Sequence, residues 1–143
     1  MTRRVSRSVI IDAPADQVFA LLVDPKRHAD FDGSGSVKAS IRGPERLAKG
    51  DRFGMRMRLG LPYTITNEVV EFEEGRLIGW RHLGHHVWRY ELEPVGDSTK
   101  VTETFDWANA RSPKGIELAK LPAKNAASIE KTLVRLKELA EAT

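Results

Sequence analysis

The feature that most constrains the fold of this chain is a change in the spacing of its apolar residues. Across residues 36–107, apolar side chains tend to occupy every second position, as Phe53, Met55 and Met57 do. This alternation is typical of antiparallel strands that are buried on one face only. Glycine-containing turns that would join the strands lie at residues 74–75, 83–85 and 95–98. The sequence therefore predicts a long antiparallel meander, which we interpret as six strands.

The segment before the meander has a different character. Residues 4–11 are rich in β-branched side chains and predict a first strand. Pro14 suits the first turn of a short helix. Asp24 and Pro25 then have the pattern of an N-cap followed by a first-turn proline, which predicts a second short helix through His28.

The segment after the meander predicts a long helix. Its apolar residues recur at spacings of three and four, which favours a helix from roughly Ala123 to Ala140 with Ile129, Leu133 and Leu136 on the buried face. The predicted order of elements is therefore β-α-α-β6-α. This is an α+β fold, with a curved seven-stranded antiparallel sheet around a long C-terminal helix.

The register of the last hairpins determines which side chains share a face. We expect Leu92 to pair with Val101 across the turn at 95–98. The pairs that follow from this are Tyr90–Glu103, Trp88–Phe105 and His86–Trp107, with Ile78–Tyr90, Trp80–Trp88 and His82–His86 in the preceding hairpin. The opposite face of the last hairpin is then polar throughout, which supports the register. All three tryptophans point to the concave face.

Composition narrows the class of protein. The chain has 143 residues, a net charge of +3 and no cysteine. This length is that of one ordinary domain, so residues 1–143 are expected to form a single domain. The lack of cysteine excludes disulfides, thiolate metal sites and cysteine nucleophiles. The small basic excess does not favour nucleic-acid binding, and no apolar run approaches the ~20 residues of a membrane span. We therefore predict a cytoplasmic protein with no nucleic-acid partner.

Four segments carry a resemblance to a known family. They are residues 24–28 (DPKRH), 32–35 (DGSG), 86–94 (HVWRYELEP) and 101–107 (VTETFDW). Together with the order of elements, they resemble the polyketide cyclase/dehydrase-like, actinobacterial branch of the SRPBCC superfamily, which has the START and Bet v 1 helix-grip fold. The resemblance covers essentially the whole chain and implies a cavity between the sheet and the long helix.

The function that this resemblance implies is broad, because the superfamily includes lipid carriers, hormone receptors, aromatase/cyclases and co-chaperones. The leading hypothesis is a small-molecule binding protein with an apolar cavity for a lipid or an aromatic, polyketide-like metabolite. An enzyme of the aromatase/cyclase type acting in the same cavity is an alternative, although no catalytic motif is present. A protein-protein interaction module of the co-chaperone type is a second alternative.

Twelve side chains are candidates for the cavity wall, and they are Met55, Met57, Tyr63, Asn67, Trp80, His82, His86, Trp88, Tyr90, Glu103, Phe105 and Trp107. The aromatic residues either stack on a flat ligand or simply fill the core, and the methionines either adapt to a ligand or pack as core. Glu103 is the sharper anomaly, since an unpaired buried charge is costly. Either it has a partner such as Tyr90 or a ligand, or a bulge or edge position turns it to water.

A group of histidines and a group of cations bear on metal binding and on contact with a membrane. The histidines His82, His85 and His86 lack the spacing of a recognised metal motif, so the sequence predicts neither a metal site nor a cofactor. Alternation places five cations together on the convex face, and they are Lys38, Arg42, Arg52, Arg56 and Arg58. The same alternation places Val37 and Ala39 on the concave face. The cations either keep the sheet solvated or contact an anionic membrane or an acidic partner.

Overall fold

A single antiparallel sheet forms the body of the protein in the computed structural model, which describes residues 2–142. Its strands are β1 (Arg4–Ile11), β2 (Val37–Arg42), β3 (Arg52–Leu59), β4 (Leu61–Glu73), β5 (Leu77–Arg81), β6 (Val87–Val95) and β7 (Ser98–Asp106). They lie in the order β1-β7-β6-β5-β4-β3-β2. The predicted meander is confirmed, and β1 closes it by pairing with β7. The end residues of the predicted domain, Met1 and Thr143, lie outside the described residues.

The helices are α1 (Ala15–Leu22), α2 (His28–Phe31), α3 (Pro113–Leu118) and α4 (Leu121–Glu141), with a 3-10 turn at Pro25–Arg27 before α2. The predicted N-cap is present, since the Lys26 amide donates to Asp24 Oδ1 at 3.0 Å. The second helix was expected to end at His28, but α2 continues from there to Phe31. Helix α3 was not predicted, because six residues are too few to show a helical repeat. No helix within residues 2–142 is long and apolar enough to cross a membrane.

The predicted register is confirmed in both hairpins. Tyr90 pairs with Glu103 and Trp88 with Phe105 in one hairpin, while Trp80 pairs with Trp88 in the other. The predicted pairs His86–Trp107 and His82–His86 each lie one residue beyond the end of a ladder, since the ladders end at Val87 opposite Asp106 and at Arg81 opposite Val87.

Strand β2 departs from strict alternation. Its register shifts twice, once between Val37 and Ala39 and once between Ser40 and Arg42. Ala39 consequently pairs with Arg56, and Ser40 pairs with Met55. A bulge moves the following side chains to the opposite face, so the prediction that Ala39 faces the concave side is wrong.

Helix α4 lies across one half of the concave face, packing chiefly against β1 and β7. Ile129, Leu133 and Leu136 are all buried, as their spacing predicts. Helix α2 packs against β2 and against α4. The concave face beneath β3, β4 and β5 is therefore covered by shorter elements than the face beneath β1 and β7.

Candidate ligand-binding cavity

A cavity of about 180 Å³ lies between the concave face of the sheet, α2 with the loop that follows it, and α4. The predicted residues that line it are Met55, Met57, Asn67, Trp80, His82, Trp88, Tyr90 and Glu103. The lining residues that were not predicted as cavity wall are His28, Phe31, Asp32, Ser34, Ser36, Val37, Ile65, Asn125, Ser128, Ile129 and Thr132. Among the described residues, no Lys or Arg lines the wall, so none of them offers a cationic side chain to an anionic ligand there.

Four predicted cavity residues lie elsewhere. Phe105 and Trp107 are buried in the core, where their rings stack at 5.4 Å, and the Trp107 indole donates to Glu117 of α3. Tyr63 is near the end of the β3–β4 hairpin, beyond the cavity, and is 39% exposed. His86 precedes β6 and packs against Phe105. Alternation predicted the correct face of the sheet for Phe105 and Trp107. It could not separate the part of that face that lines the cavity from the part that packs as core.

Glu103 is the most unusual group in the cavity wall. The residue is 3% exposed, and its Oε1 has no hydrogen-bond partner within residues 2–142. Burial raises the pKa of the Glu103 carboxyl to about 8, although a hydrogen bond with Tyr90 acts in the opposite direction. Glu103 is therefore mainly protonated at neutral pH and has an O–H to donate. Its predicted inward direction is confirmed, and a solvated position is excluded.

Tyr90 holds Glu103 in place. The two residues are direct cross-strand partners, and their side chains share a hydrogen bond. Burial, followed by the neighbouring Glu103, raises the pKa of the Tyr90 phenol well above its ordinary value. The phenol therefore stays protonated and donates to the carboxyl. That leaves the second carboxyl oxygen of Glu103 for the cavity.

Aromatic rings form the part of the cavity wall that lies next to Glu103. Trp80 and Trp88 are cross-strand partners. His28 of α2 stacks on Trp80 with ring centroids 4.8 Å apart, and its Nε2 lies 2.8 Å from the Leu22 carbonyl oxygen. Burial lowers the pKa of His28 to about 4, so the ring is neutral and Nε2–H donates to that carbonyl. Sequence analysis did not predict that His28 lies in the cavity wall, because its stacking on Trp80 depends on how α2 crosses the sheet.

The loop after α2 fits tightly against α4. The Gly33 amide donates to Thr132 Oγ1 at 2.8 Å, and the Arg135 guanidinium donates to the Asp32 carbonyl oxygen at 2.5 Å. A Cβ at Gly33 would lie 2.5 Å from the Thr132 amide nitrogen, so only glycine allows this approach. In the sequence analysis, this loop contributed only to the family resemblance. Its DGSG pattern was the available signal, but only the position of α4 shows that Asp32 and Ser34 reach the cavity.

A second polar group lies at the other end of the Trp80–Trp88 wall. Glu68 of β4 pairs with Arg81, the last residue of β5, so Asn67 and His82 follow at the next position and both line the cavity. The His82 and His86 rings meet edge to face with centroids 4.9 Å apart. Burial lowers the pKa of both imidazoles, that of His86 to about 4. Both rings are therefore neutral at pH 7.

Metal binding was tested against the same geometry. Within residues 2–142, no three His, Asp or Glu side chains are grouped closely enough to hold a metal ion. His85, the third histidine of the turn, instead lies 3.2 Å from the Arg111 guanidinium, measured from Nε2.

A cavity under a long helix, closed by a seven-stranded antiparallel sheet, is the geometry of the family that the sequence resembles. The model of the family described as polyketide cyclase / dehydrase and lipid transport matches residues 2–141. The chain belongs to this family. The resemblance carried by segments 24–28, 32–35, 86–94 and 101–107 is thereby confirmed, while the family description spans both catalysis and transport.

Relatives of this family member extend the comparison. An uncharacterized protein from Mycobacterium tuberculosis strain H37Rv is 43% identical over 141 residues, covering 94% of this chain and 63% of that protein. The chain thus spans less than two thirds of this mycobacterial relative.

Solved structures of similar proteins agree on the fold. An AHSA1-like protein from Aeromonas hydrophila is similar with a TM-score of 0.73 at 19% identity, covering 97% of this chain and 92% of that one. A polyketide-cyclase-like protein from Corynebacterium glutamicum has a TM-score of 0.60 at 25% identity, covering 99% of this chain and 93% of that one. The predicted helix-grip fold is confirmed.

Proposed function

We propose that this protein binds a small, neutral, largely apolar molecule in its cavity and anchors it at Glu103. The observation that carries the proposal is the unpartnered Glu103 Oε1, which is buried in the wall of a cavity that is otherwise largely apolar on the sheet side. A buried polar atom without a partner is costly, and a ligand group removes that cost. Because Glu103 retains its proton at neutral pH, the matching ligand group is an acceptor such as a carbonyl oxygen.

The size of the cavity limits the ligand. An engineered protein cavity of about 150 Å³ holds one benzene molecule. A cavity of about 180 Å³ is therefore suited to one ring with small substituents, or to a short chain of similar volume. The lipid or polyketide-like metabolite expected from the sequence is accordingly narrowed to a compound with a single ring or a short chain. A molecule with several fused rings requires that α2 or the 32–36 loop move outward.

A pair of matched probes tests the anchor. Acetophenone has a ring and a carbonyl acceptor, and ethylbenzene has nearly the same shape without the acceptor. We expect isothermal titration calorimetry at pH 7 to give acetophenone about five- to tenfold the affinity of ethylbenzene, as one neutral hydrogen bond provides. Glu103→Leu should abolish the preference, while Glu103→Gln, which keeps an N–H donor, should retain most of it. Failure of both probes to bind would refute the proposed function.

Catalysis in the same cavity is the second candidate, and the protonated Glu103 beside Tyr90 favours it. A buried acid whose pKa lies near 8 is suited to general acid-base chemistry. If Glu103 transfers protons, the wild-type protein should accelerate exchange of the acetophenone methyl hydrogens in D₂O, followed by proton NMR. Glu103→Gln should lose this acceleration while it still binds the ketone. Binding without accelerated exchange in the wild type would leave a binding protein only.

The convex face supports a weaker contact with an anionic membrane. Lys38, Arg42, Arg52, Arg56 and Arg58 are all exposed there, and Leu61 at the β3–β4 turn is 80% exposed. Cations attract anionic lipid, and an exposed leucine adds apolar contact. We expect co-sedimentation with phosphatidylserine vesicles above that with phosphatidylcholine vesicles, and its loss in the double variant Arg56→Glu, Arg58→Glu. Equal sedimentation with both lipids would reject the contact and leave a solvated face or an acidic protein partner.

We also propose that residues 1–143 act as one domain. The seven strands form one sheet, and α4 at the end of the chain packs on β1 at its beginning. This return of the last helix to the first strand is the observation that supports a single folding unit.

A further inference from the structure

The cavity has a second polar end that the proposed anchor does not use. It consists of Asn67 and His82, which both line the cavity. Asn67 is 4% exposed. His82 Nδ1 is buried and makes no hydrogen bond within residues 2–142. Buried polar atoms in folded proteins are nearly always satisfied, so His82 has the same need for a partner as Glu103.

The two polar ends face each other along the strands. Ile78 pairs with Tyr90, which pairs with Glu103, so the anchor lies in the row of Ile78. His82 is four residues further along the chain from Ile78, just after β5, which is two strands away from Glu103 on β7. Strands rise about 3.4 Å per residue and lie about 4.8 Å apart, so the backbone positions of Glu103 and His82 are about 17 Å apart along a diagonal of the sheet. The two side chains cover part of this span, and a ring substituted at opposite positions, with a hydrogen bond at each end, suits the remainder.

The wall between the two ends is flat and apolar. Trp80 and Trp88 occupy the intervening row as cross-strand partners. Indole rings favour stacked or offset contact with a flat aromatic ring. A ligand that spans the cavity therefore places its ring on the tryptophans and its two substituents at the two polar ends.

The charge of the second substituent follows from the groups around it. Burial lowers the pKa of His82, so its ring is neutral at pH 7. Within residues 2–142, Asp32 lines the cavity and no Lys or Arg does. A carboxylate or phosphate would lack a cationic partner there and would lose its hydration. A neutral hydroxyl matches the neutral imidazole and the Asn67 amide.

We propose that the cavity selects a neutral one-ring ligand with polar groups at opposite ends of the ring, an acceptor held by Glu103 and a hydroxyl held by His82 and Asn67. This inference rests on the proposed function and defines its ligand class as hydroxyaryl ketones or aldehydes. It assigns a specificity role to His82 and Asn67, which the anchor alone does not require.

The test compares 4-hydroxyacetophenone with acetophenone in the wild-type protein by titration calorimetry at pH 7. We expect the para-hydroxyl to increase affinity about tenfold, as one or two neutral hydrogen bonds would. The meta isomer, 3-hydroxyacetophenone, should gain no more than about twofold, because its hydroxyl points away from the line between the two ends. 4-Hydroxybenzoate, which is charged at this pH, should bind at least about tenfold more weakly than 4-hydroxyacetophenone.

Variants then assign the effect to the second end. His82→Phe and Asn67→Leu should each reduce the gain from the para-hydroxyl, which is the ratio of 4-hydroxyacetophenone affinity to acetophenone affinity measured within the same variant. His85→Asn is the matched control, because His85 belongs to the same turn but does not line the cavity, and asparagine tolerates its positive φ of 62°. Thermal melting of each variant checks that it is folded, and the two substitutions give independent measurements.

The outcomes separate this inference from the proposed function. Equal affinity of the para-hydroxy and unsubstituted ketones, or an undiminished gain in both His82→Phe and Asn67→Leu, would overturn the second polar end. The preference of the wild type for acetophenone over ethylbenzene would then still support the anchor at Glu103. Absence of binding by all of these probes would overturn both.

Discussion

The two halves of the concave face differ in what covers them. On the β1–β7 half, α4 packs directly on the strands, and Ile11, Val101, Leu133 and Leu136 are each at most 3% exposed. On the half formed by β3, β4 and β5, the cover is α2, a short loop and one side of α4, and a cavity remains that extends to Glu103 of β7. One sheet thus forms a close-packed core and a binding space side by side. The difference arises from the covering elements and from the polar residues placed beneath them.

The largest expected effect tests the half of the concave face that α4 covers. Leu133→Asp places an unpaired carboxylate between α4 and the sheet and should lower the free energy of unfolding by several kcal/mol. Val134→Asp is the matched control, since Val134 is the next residue of α4 but is 54% exposed. Urea denaturation followed by circular dichroism measures both. Similar stabilities for the two variants would contradict the packing of α4 through Leu133.

The next effect tests Glu103, the buried acid in the cavity wall. Glu103 has a pKa of about 8 in the folded protein, against 4.5 ordinarily, with Tyr90 and Asp32 as its charged or titratable neighbours. Between these values the folded state holds a proton that the unfolded chain has released, so rising pH reduces the contribution of Glu103 to stability, by about 1 kcal/mol per pH unit at most.

Glu103→Gln removes this titration. The stability of the variant relative to wild type should therefore rise from pH 5 to pH 8 and level off above that. Urea denaturation at several pH values measures the difference, in which the other titrating groups cancel. A difference that does not change with pH would show that Glu103 titrates normally.

A third effect tests the contact between the two covering elements. Gly33→Ala forces the loop away from α4, because its Cβ would lie 2.5 Å from Thr132 N and from Lys131 Cβ. We expect a loss of about 1 to 3 kcal/mol, as for other overpacked sites. Gly115→Ala is the control, since the close neighbour there is the Ser112 hydroxyl, which can rotate away. Equal melting temperatures for the two variants would refute the tight loop contact.

The smallest effect concerns the neutral histidine behind the cavity. Burial lowers the pKa of His86 to about 4, so its contribution to stability is complete above pH 6.5 and is lost as the pH falls towards 4. Between pH 7 and pH 5, the wild type should lose about 1 kcal/mol more of its free energy of unfolding than His86→Phe does, as measured by thermal melting. His85→Asn should leave it nearly unchanged. If His86→Phe shows the same pH dependence of stability as the wild type, other titrating groups cause the loss of stability in acid.

Strand pairing could be predicted from the sequence because burial of one face and a short turn together fix the register. That register led directly to Glu103 and Tyr90. The loop at residues 32–36 could not be placed, because its role depends on the approach of Gly33 to α4, a contact distant in sequence. The stacking of His28 on Trp80 was missed for the same reason. The bulges of β2 were missed because a shift of register leaves composition and spacing unchanged.

Those bulges also bear on how the protein avoids self-association. Strand β2 is one edge of the sheet, and an edge offers unpaired backbone groups to any other chain. Two register shifts within β2 interrupt the regular array that an added strand requires, and the exposed Lys38 and Arg42 repel a second copy of the same edge. The irregularity of β2 thus protects an open sheet against edge-to-edge aggregation, beside a cavity whose wall must remain accessible to a ligand.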